Sequence, residues 1–185
     1  MTDGNDLEDI MPMDPPPDED AWEAYLDFTL KLMEADGSNA VSNPTIAAIE
    51  AAVGAPLPFE IAILFLLGVP NGDGWQRWGD DPATQLAAWN DQLSTALRSK
   101  HGREISEGLA TASPLVPIYE GFAVPVGPAE GSGTADSNPV FALSGGEISV
   151  AANDLAAWLH QMFDMPLPWW PDTPHKRFRF WSDLT

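Results

Sequence analysis

The stretch Gly54–Gly72, GAPLPFEIAILFLLGVPNG, decides the fold that we expect for this chain. Gly54 is placed to end one helix, because glycine adopts the left-handed C′ conformation at little steric cost. Pro58 suits the first turn of the next helix, and Glu60 falls in that turn, where the helix dipole favours a carboxylate. The apolar residues that follow are Ile61, Ile63, Leu64, Phe65, Leu66 and Leu67. They surround the helix axis, so the sequence predicts a helix that is buried on all sides.

The end of this stretch predicts where the apolar helix stops. Gly68 and Pro70 end the helix, and Asn71-Gly72 predicts a turn. The apolar run is too short to cross a bilayer, which requires about 20 residues. We therefore expect a core helix onto which the other elements pack.

The composition is that of an acidic chain of 185 residues with a net charge of −20 and no cysteine. Its length predicts one domain with a sizeable core. Without cysteine the chain has no disulfide, no cysteine-zinc site and no cysteine nucleophile. Its three histidines, at positions 101, 160 and 175, are scattered, so we expect neither a metal site nor a cofactor. The lack of a signal peptide and of a spanning segment favours a cytoplasmic protein.

The negative charge favours some classes of partner over others. Nucleic acid and anionic membranes are disfavoured, because binding to phosphates depends on lysine and arginine. A basic protein partner is favoured, because complementary charge speeds association. Many cytosolic proteins are acidic only for solubility, and this alternative stays open.

An acidic, proline-containing tail at residues 1–19 precedes a single domain at residues 20–185. Its low apolar content predicts disorder or loose docking. A first helix is predicted from an N-cap at Asp20 to Gly37, and a second opens with Asn43 as its N-cap.

The loop at residues 73–81 carries our candidate partner-binding residues. These are Asp73, Trp75, Trp78, Asp80 and Asp81. Tryptophan is enriched at interface hot spots, although the two tryptophans could instead cover the edge of the core. The acids do not match the spacing of a calcium loop, so we expect no metal there. Asp81 also precedes Pro82 as the expected N-cap of a further helix.

The second half of the chain changes to the pattern of strands. Residues 104–113 show no clear pattern, and two short strands then flank Glu120-Gly121. A further pair, 138–144 and 147–151, flanks the hairpin signal Gly145-Gly146.

A late helix and an edge strand complete the expected fold. Asn153 or Asp154 caps the helix, and residues 177–181 alternate like an edge strand. The core positions expected in the helix are Leu155, Trp158, Leu159, Met162 and Phe163, with His160 facing solvent. The predicted class is α+β, with N-terminal helices packed on a mostly antiparallel sheet of about four strands.

Seven short motifs occur in an order that is typical of one superfamily. They are Leu57-Pro58, Phe65-Leu66, Asn71-Gly72, Leu115–Tyr119, Pro139–Leu143, Asp154–Ala156 and Phe180–Leu184. This order resembles the SUKH superfamily, which includes fungal cell-wall-synthesis regulators and bacterial immunity proteins. The resemblance implies a cytosolic immunity protein that neutralises a toxin by covering its active surface, and the charge suits a basic toxin such as a nuclease domain.

Catalytic motifs do not stand out in this chain. It has no Gly-x-Ser-x-Gly elbow and no glycine-rich phosphate loop in a strand–helix context, so we expect no enzyme. Two alternatives stay open. One is a regulatory or scaffold module with several partners, and the other is a small-molecule enzyme that uses carboxylates in a cleft.

Overall fold

The computed structural model describes residues 19–102, 105–127, 129, 138–167 and 176–185. The tail predicted at residues 1–19 lies outside these ranges except for Glu19. Most of the loop between the second and third predicted strands also lies outside them.

The chain has the predicted α+β fold. N-terminal helices precede a four-stranded antiparallel sheet, and C-terminal helices follow it. The elements are α1 (Glu19–Leu32), α2 (Asn43–Val53), α3 (Phe59–Leu67), α4 (Pro82–His101), α5 (Ile105–Thr111), β1 (Leu115–Tyr119), β2 (Phe122–Pro125), β3 (Val140–Ser144), β4 (Glu147–Ala152), α6 (Leu155–Phe163) and α7 (Arg179–Leu184). None of the helices described is both long and apolar enough to cross a membrane.

The four strands pair in sequence order, each antiparallel to the next. The predicted hairpin joins β3 to β4, and Gly145 and Gly146 have φ values of 58° and 82°. A β-carbon on Gly146 would lie 2.5 Å from the carbonyl oxygen of Ala96. Glycine is therefore required both for the turn and for the close approach of α4.

Helices cover both faces of the sheet, because alternate residues of a strand point in opposite directions. Val116 and Ile118 belong to a core that also contains residues of α1, α2, α3 and α6. Leu115 belongs to a second core with Leu97 of α4 and Trp181 of α7. The sheet is thus the middle layer of three.

The first helix ends earlier than Gly37, where the sequence placed its end. The N–H of Glu34 donates to the carbonyl of Lys31 at 3.1 Å, and that of Ala35 donates to Leu30 at 2.9 Å. Glu34 has a φ of 58° and so takes the left-handed position that glycine usually fills. The predicted N-cap Asp20 lies inside the helix, which already includes Glu19.

The N-cap of α2 is one residue earlier than predicted. Ser42, and not Asn43, is the capping residue, and its hydroxyl accepts the backbone N–H of Thr45 at 3.3 Å. The predicted C-terminal glycine is confirmed, because Gly54 has a φ of 74°.

The burial of α3 is less uniform than its sequence suggested. Ile61, Leu64 and Phe65 have no exposed surface, whereas the other apolar side chains of the helix are only partly buried. Glu60 in the first turn is buried as well, with 8% of its surface exposed. The helix therefore buries one stripe, and that stripe includes a carboxyl group.

Two predictions for the second half of the chain are wrong, and one helix was not predicted. The unpatterned residues 104–113 contain the short helix α5. The predicted edge strand at 177–181 is wrong, because α7 begins at Arg179; Phe178, just before the helix, and Trp181, within it, are both buried. Met162 of α6 is 40% exposed and lies outside the core.

Candidate functional site

The loop at residues 73–81 joins α3 to α4 and runs along the free edge of β1. The backbone of Trp75 forms an isolated antiparallel bridge to Tyr119. The N–H of Gln76 donates to Ile118 at 3.0 Å, and the N–H of Glu120 donates to Gly74 at 2.7 Å. These bonds fix the first half of the loop to the sheet.

Trp75 lies in the core and is 7% exposed. Its ring contacts Trp158 edge-on at 5.8 Å and Tyr119 edge-on at 5.2 Å between centroids. It also stacks on Phe163 at 5.4 Å. For this residue the structure agrees with the alternative of a core position, and the ring presents almost no surface to a partner.

Trp78 lies at the edge of the core and is partly buried. Its ring meets Phe65 of α3 edge-on, with 5.9 Å between centroids. Its indole nitrogen is buried and has no hydrogen-bond acceptor among the residues that the structure describes. Trp78 remains a candidate contact residue through the part of its ring that is exposed.

The three candidate carboxylates of the loop are all exposed. Asp81 caps α4, because its carboxylate accepts the Thr84 N–H at 3.0 Å and the Thr84 hydroxyl at 2.7 Å. These hydrogen bonds lower the pKa of Asp81. Asp73 and Asp80 form no ion pair with any other described residue, so they are free to meet a cation.

Polar contacts hold the second half of the loop in place. Arg77 donates to the carbonyl of Asn71 at 2.7 Å, and the N–H of Gly79 donates to the side chain of Gln85 at 2.8 Å. The amide oxygen of Asn71 accepts a hydrogen bond from Ser38 at 3.0 Å. The predicted Asn-Gly turn therefore anchors the loop that follows it.

A second acidic surface, which the sequence reading missed, lies on the outer face of α1. Asp20, Glu23 and Asp27 line a shallow cavity of about 330 Å³ with Leu67 of α3. They are spaced three and four residues apart, which places them on one face of the helix. This spacing is the sequence signal from which the acidic surface could have been predicted. Asp27 pairs with Lys31 at 2.6 Å, whereas the other two acids have no ion pair in the part described.

The chain also buries a small polar cluster. Within the described ranges, the buried polar and charged residues are Thr29, Glu60, Asn138 and Asp154. The amide of Asn138 donates to the carboxyl of Glu60 at 3.1 Å, and Asp154 caps α6 by accepting the Ala157 N–H at 2.7 Å. Burial raises the pKa of Glu60 and also that of Tyr25 in α1. Sequence reasoning placed Glu60 in a first turn but gave no signal of its burial.

A cavity of about 670 Å³ lies between α5 and α7. Its lining includes carboxylates, so it bears on the alternative of a small-molecule enzyme. Its polar lining includes His101, Glu107 and Asp183. His101 is within hydrogen-bonding distance of the Gly146 carbonyl at 3.1 Å, and Asp183 pairs with Arg177 at 2.5 Å. Two of these three groups are therefore already engaged by the protein itself.

In the described ranges, no three His, Asp or Glu side chains lie close enough to share a metal ion. Comparisons with family models, with curated proteins and with solved structures find no match for this chain.

Proposed function

We propose that this chain is a non-catalytic protein-binding domain, an immunity protein that neutralises a basic toxin domain by direct binding. The observation that carries the proposal is the exposure of acidic residues on two surfaces, the loop at residues 73–81 and α1. Asp73 and Asp80 in the loop, and Asp20 and Glu23 on α1, have no ion pair among the described residues. The motif order that resembles the SUKH superfamily supports the same reading.

The distribution of charge along the chain is uneven, with most of the acidic residues in the N-terminal half. Residues 1–97 contain 18 acidic residues but only two basic ones, Lys31 and Arg77. The other six lysines and arginines follow at residues 98–103 and 176–179. A net charge of −20 attracts a basic partner before contact, which raises the association rate at low salt.

The loop suits binding because it is both exposed and fixed. Its backbone is hydrogen-bonded to β1, and Arg77 and Gly79 are held by Asn71 and Gln85. A fixed loop loses little conformational entropy when a partner binds, so more of the interaction energy appears as affinity. Trp78 adds aromatic surface beside the carboxylates.

An affinity capture from cells that produce the protein tests this proposal. The full chain serves as bait at low and at moderate salt, and mass spectrometry identifies the retained proteins. We expect one dominant basic protein whose retention falls as salt rises, because salt screens exposed charges. Many weakly held proteins would favour the scaffold alternative, and no retained protein at all would favour a small-molecule site.

A further inference from the structure

The side chain of Asn71 joins two loops that are distant in the sequence. Asn71 precedes the loop at residues 73–81, and its amide oxygen accepts hydrogen bonds from the segment at residues 36–39, between α1 and α2. The hydroxyl of Ser38 donates at 3.0 Å, and the side-chain amide of Asn39 donates at 2.8 Å. These bonds span 33 and 32 residues, so they are tertiary contacts and not part of a local turn.

The backbone around Asn71 is held from both loops. The side-chain amide of Asn39 also donates to the carbonyl of Val69 at 3.2 Å. Arg77 donates to the carbonyl of Asn71 at 2.7 Å and to that of Gly72 at 3.4 Å. The turn that begins the loop is therefore bonded on one side to the segment at residues 36–39 and on the other side to the loop itself.

These hydrogen bonds lie at the surface, because Ser38, Asn71 and Arg77 are exposed. An exposed hydrogen bond adds little to overall stability, since water replaces it in the unfolded chain. Its effect is to select one arrangement of two loops and to restrict their local opening. We therefore expect Asn71 to matter more for the surface that the loops present than for folding.

The contact brings exposed carboxylates of both loops to the same surface. Asp36 accepts the backbone N–H of Ser38 at 2.9 Å. Hydrogen bonding from Ser38, and then from the Asn71 side chain, lowers the pKa of Asp36, so this group is charged at neutral pH. Asp73 follows Asn71 by two residues and is also exposed. The acidic surface of the loop thus continues onto the segment at residues 36–39.

We propose that Asn71 is a positioning residue for partner binding, whose side chain clasps the segment at residues 36–39 to the loop at residues 73–81. The clasp places Asp36 in the same contact surface as Asp73, and this surface fits a basic protein. The inference rests on the proposed function and adds a segment to its contact surface. A surface that is fixed before contact loses less conformational entropy on binding, so the clasp raises affinity without touching the partner.

Two variants of the full chain open the clasp from opposite sides. Asn71→Ala removes the amide that accepts both bonds, and Ser38→Ala with Asn39→Ala removes the two donors without altering the loop at residues 73–81. Asn90→Ala is the matched control, because its amide bonds within α4, to the carbonyl of Leu86 at 3.0 Å. None of these substitutions changes the net charge.

Amide hydrogen exchange in the free chain tests the clasp, whether or not a partner is captured. The N–H of Ala40 donates to Gly37, and that of Gln76 donates to Ile118, so these two amides report on the two loops. Both should exchange at least about threefold faster in either clasp variant, whereas Ala157 in α6 keeps the wild-type rate. Wild-type exchange at Ala40 and Gln76 in both clasp variants would overturn the clasp.

The affinity for the basic protein retained in the affinity capture tests the positioning role. Each clasp variant should bind about tenfold more weakly, with the salt dependence of the wild type because no charge is lost. The two variants combined should lose the same tenfold, since both open one contact. Unchanged affinity in Asn71→Ala, or a hundredfold loss in the combination, would overturn the positioning role. Failure to capture any partner would instead contradict the proposed function, and the exchange rates would still decide whether the clasp exists.

Discussion

Trp75 stacks on Phe163, with ring centroids 5.4 Å apart and ring planes inclined by 17°. Trp75 comes from the loop before α4, whereas Phe163 ends α6, so the contact closes the core from two distant parts of the chain. Trp78, three residues further on, meets only the edge of that core. The two tryptophans of the loop therefore have different roles.

Replacement of each tryptophan should separate these roles. Trp75→Ala removes a buried aromatic ring and should lower the free energy of unfolding by about 3–5 kcal/mol. Trp78→Phe keeps the contact with Phe65 and removes an unpartnered N–H, so its effect should stay within about 1 kcal/mol. Urea unfolding followed by circular dichroism measures both. Equal losses in the two variants would contradict the assignment of Trp75 alone to the core.

The ring of Phe180 lies where a β-carbon on Gly108 would stand. Gly108→Ala must therefore displace α7 or turn the ring, and we expect a loss of about 1–3 kcal/mol in unfolding free energy. Gly72→Ala is the matched control, because nothing lies within 4 Å of its β-carbon position. The control should change stability by less than about 0.5 kcal/mol. The melting temperatures of both variants test this prediction. An unchanged melting temperature in Gly108→Ala would mean that α7 does not pack against Gly108.

Glu34 has a φ of 58° at the end of α1, a conformation that glycine adopts without strain. Glu34→Gly should raise the free energy of unfolding by about 0.5–1 kcal/mol. Glu34→Ala removes the same charge but keeps the strain, so it reports the electrostatic part alone. A gain in Glu34→Ala as large as that in Glu34→Gly would show that charge, and not backbone conformation, is responsible.

Asp81 caps α4, and its pKa is lowered by hydrogen bonds from Thr84. A lowered pKa means that this stabilisation is present above the unfolded pKa, about 3.9, and is lost as pH falls through the folded value. Asp81→Ala should therefore lower the melting temperature at pH 7 but have a smaller effect near pH 2. Asp81→Asn retains the cap and should melt close to the wild type at pH 7. A pH-independent effect of Asp81→Ala would contradict this role.

Sequence reasoning located most elements where local signals were strong. The glycines at 54 and 68 end their helices, and the Gly145-Gly146 hairpin joins the expected strands. These positions depend on backbone conformations that few other residues tolerate, so the sequence alone predicts them. The antiparallel sheet of about four strands is likewise confirmed, whereas no order of its strands was predicted.

The wrong strand at residues 177–181 and the missed helix at residues 105–111 both depend on distant contacts. Residues 177–181 alternate like a strand, yet Trp181 donates to the Ser113 carbonyl at 2.6 Å and is fixed as part of a helix against the sheet. The helix at residues 105–111 is short and contains Gly108, which Phe180 requires. Tertiary packing overrides local preference in both segments.

The sequence predicted only part of the candidate site, because the orientation and burial of its side chains also depend on contacts between distant residues. A tryptophan in a polar loop has the same local pattern whether its ring points inward or outward, so Trp75 and Trp78 could not be distinguished. The burial of Glu60 depends on Asn138, which lies 78 residues away in the chain. The exposed acids of α1 were visible as a spacing, but only the position of Leu67 shows that they line a cavity.

The most direct test of the acidic binding surface is the affinity of the captured partner for two double variants. Asp73→Lys with Asp80→Lys reverses the charge of the two exposed loop acids that do not cap a helix and leaves the cap Asp81 intact. Asp91→Lys with Glu107→Lys changes the net charge equally at exposed positions on α4 and α5. We predict that only the loop variant weakens binding, by at least about tenfold at low salt, with a flatter salt dependence. Equal losses in both variants, or an unchanged affinity in the loop variant, would contradict the account.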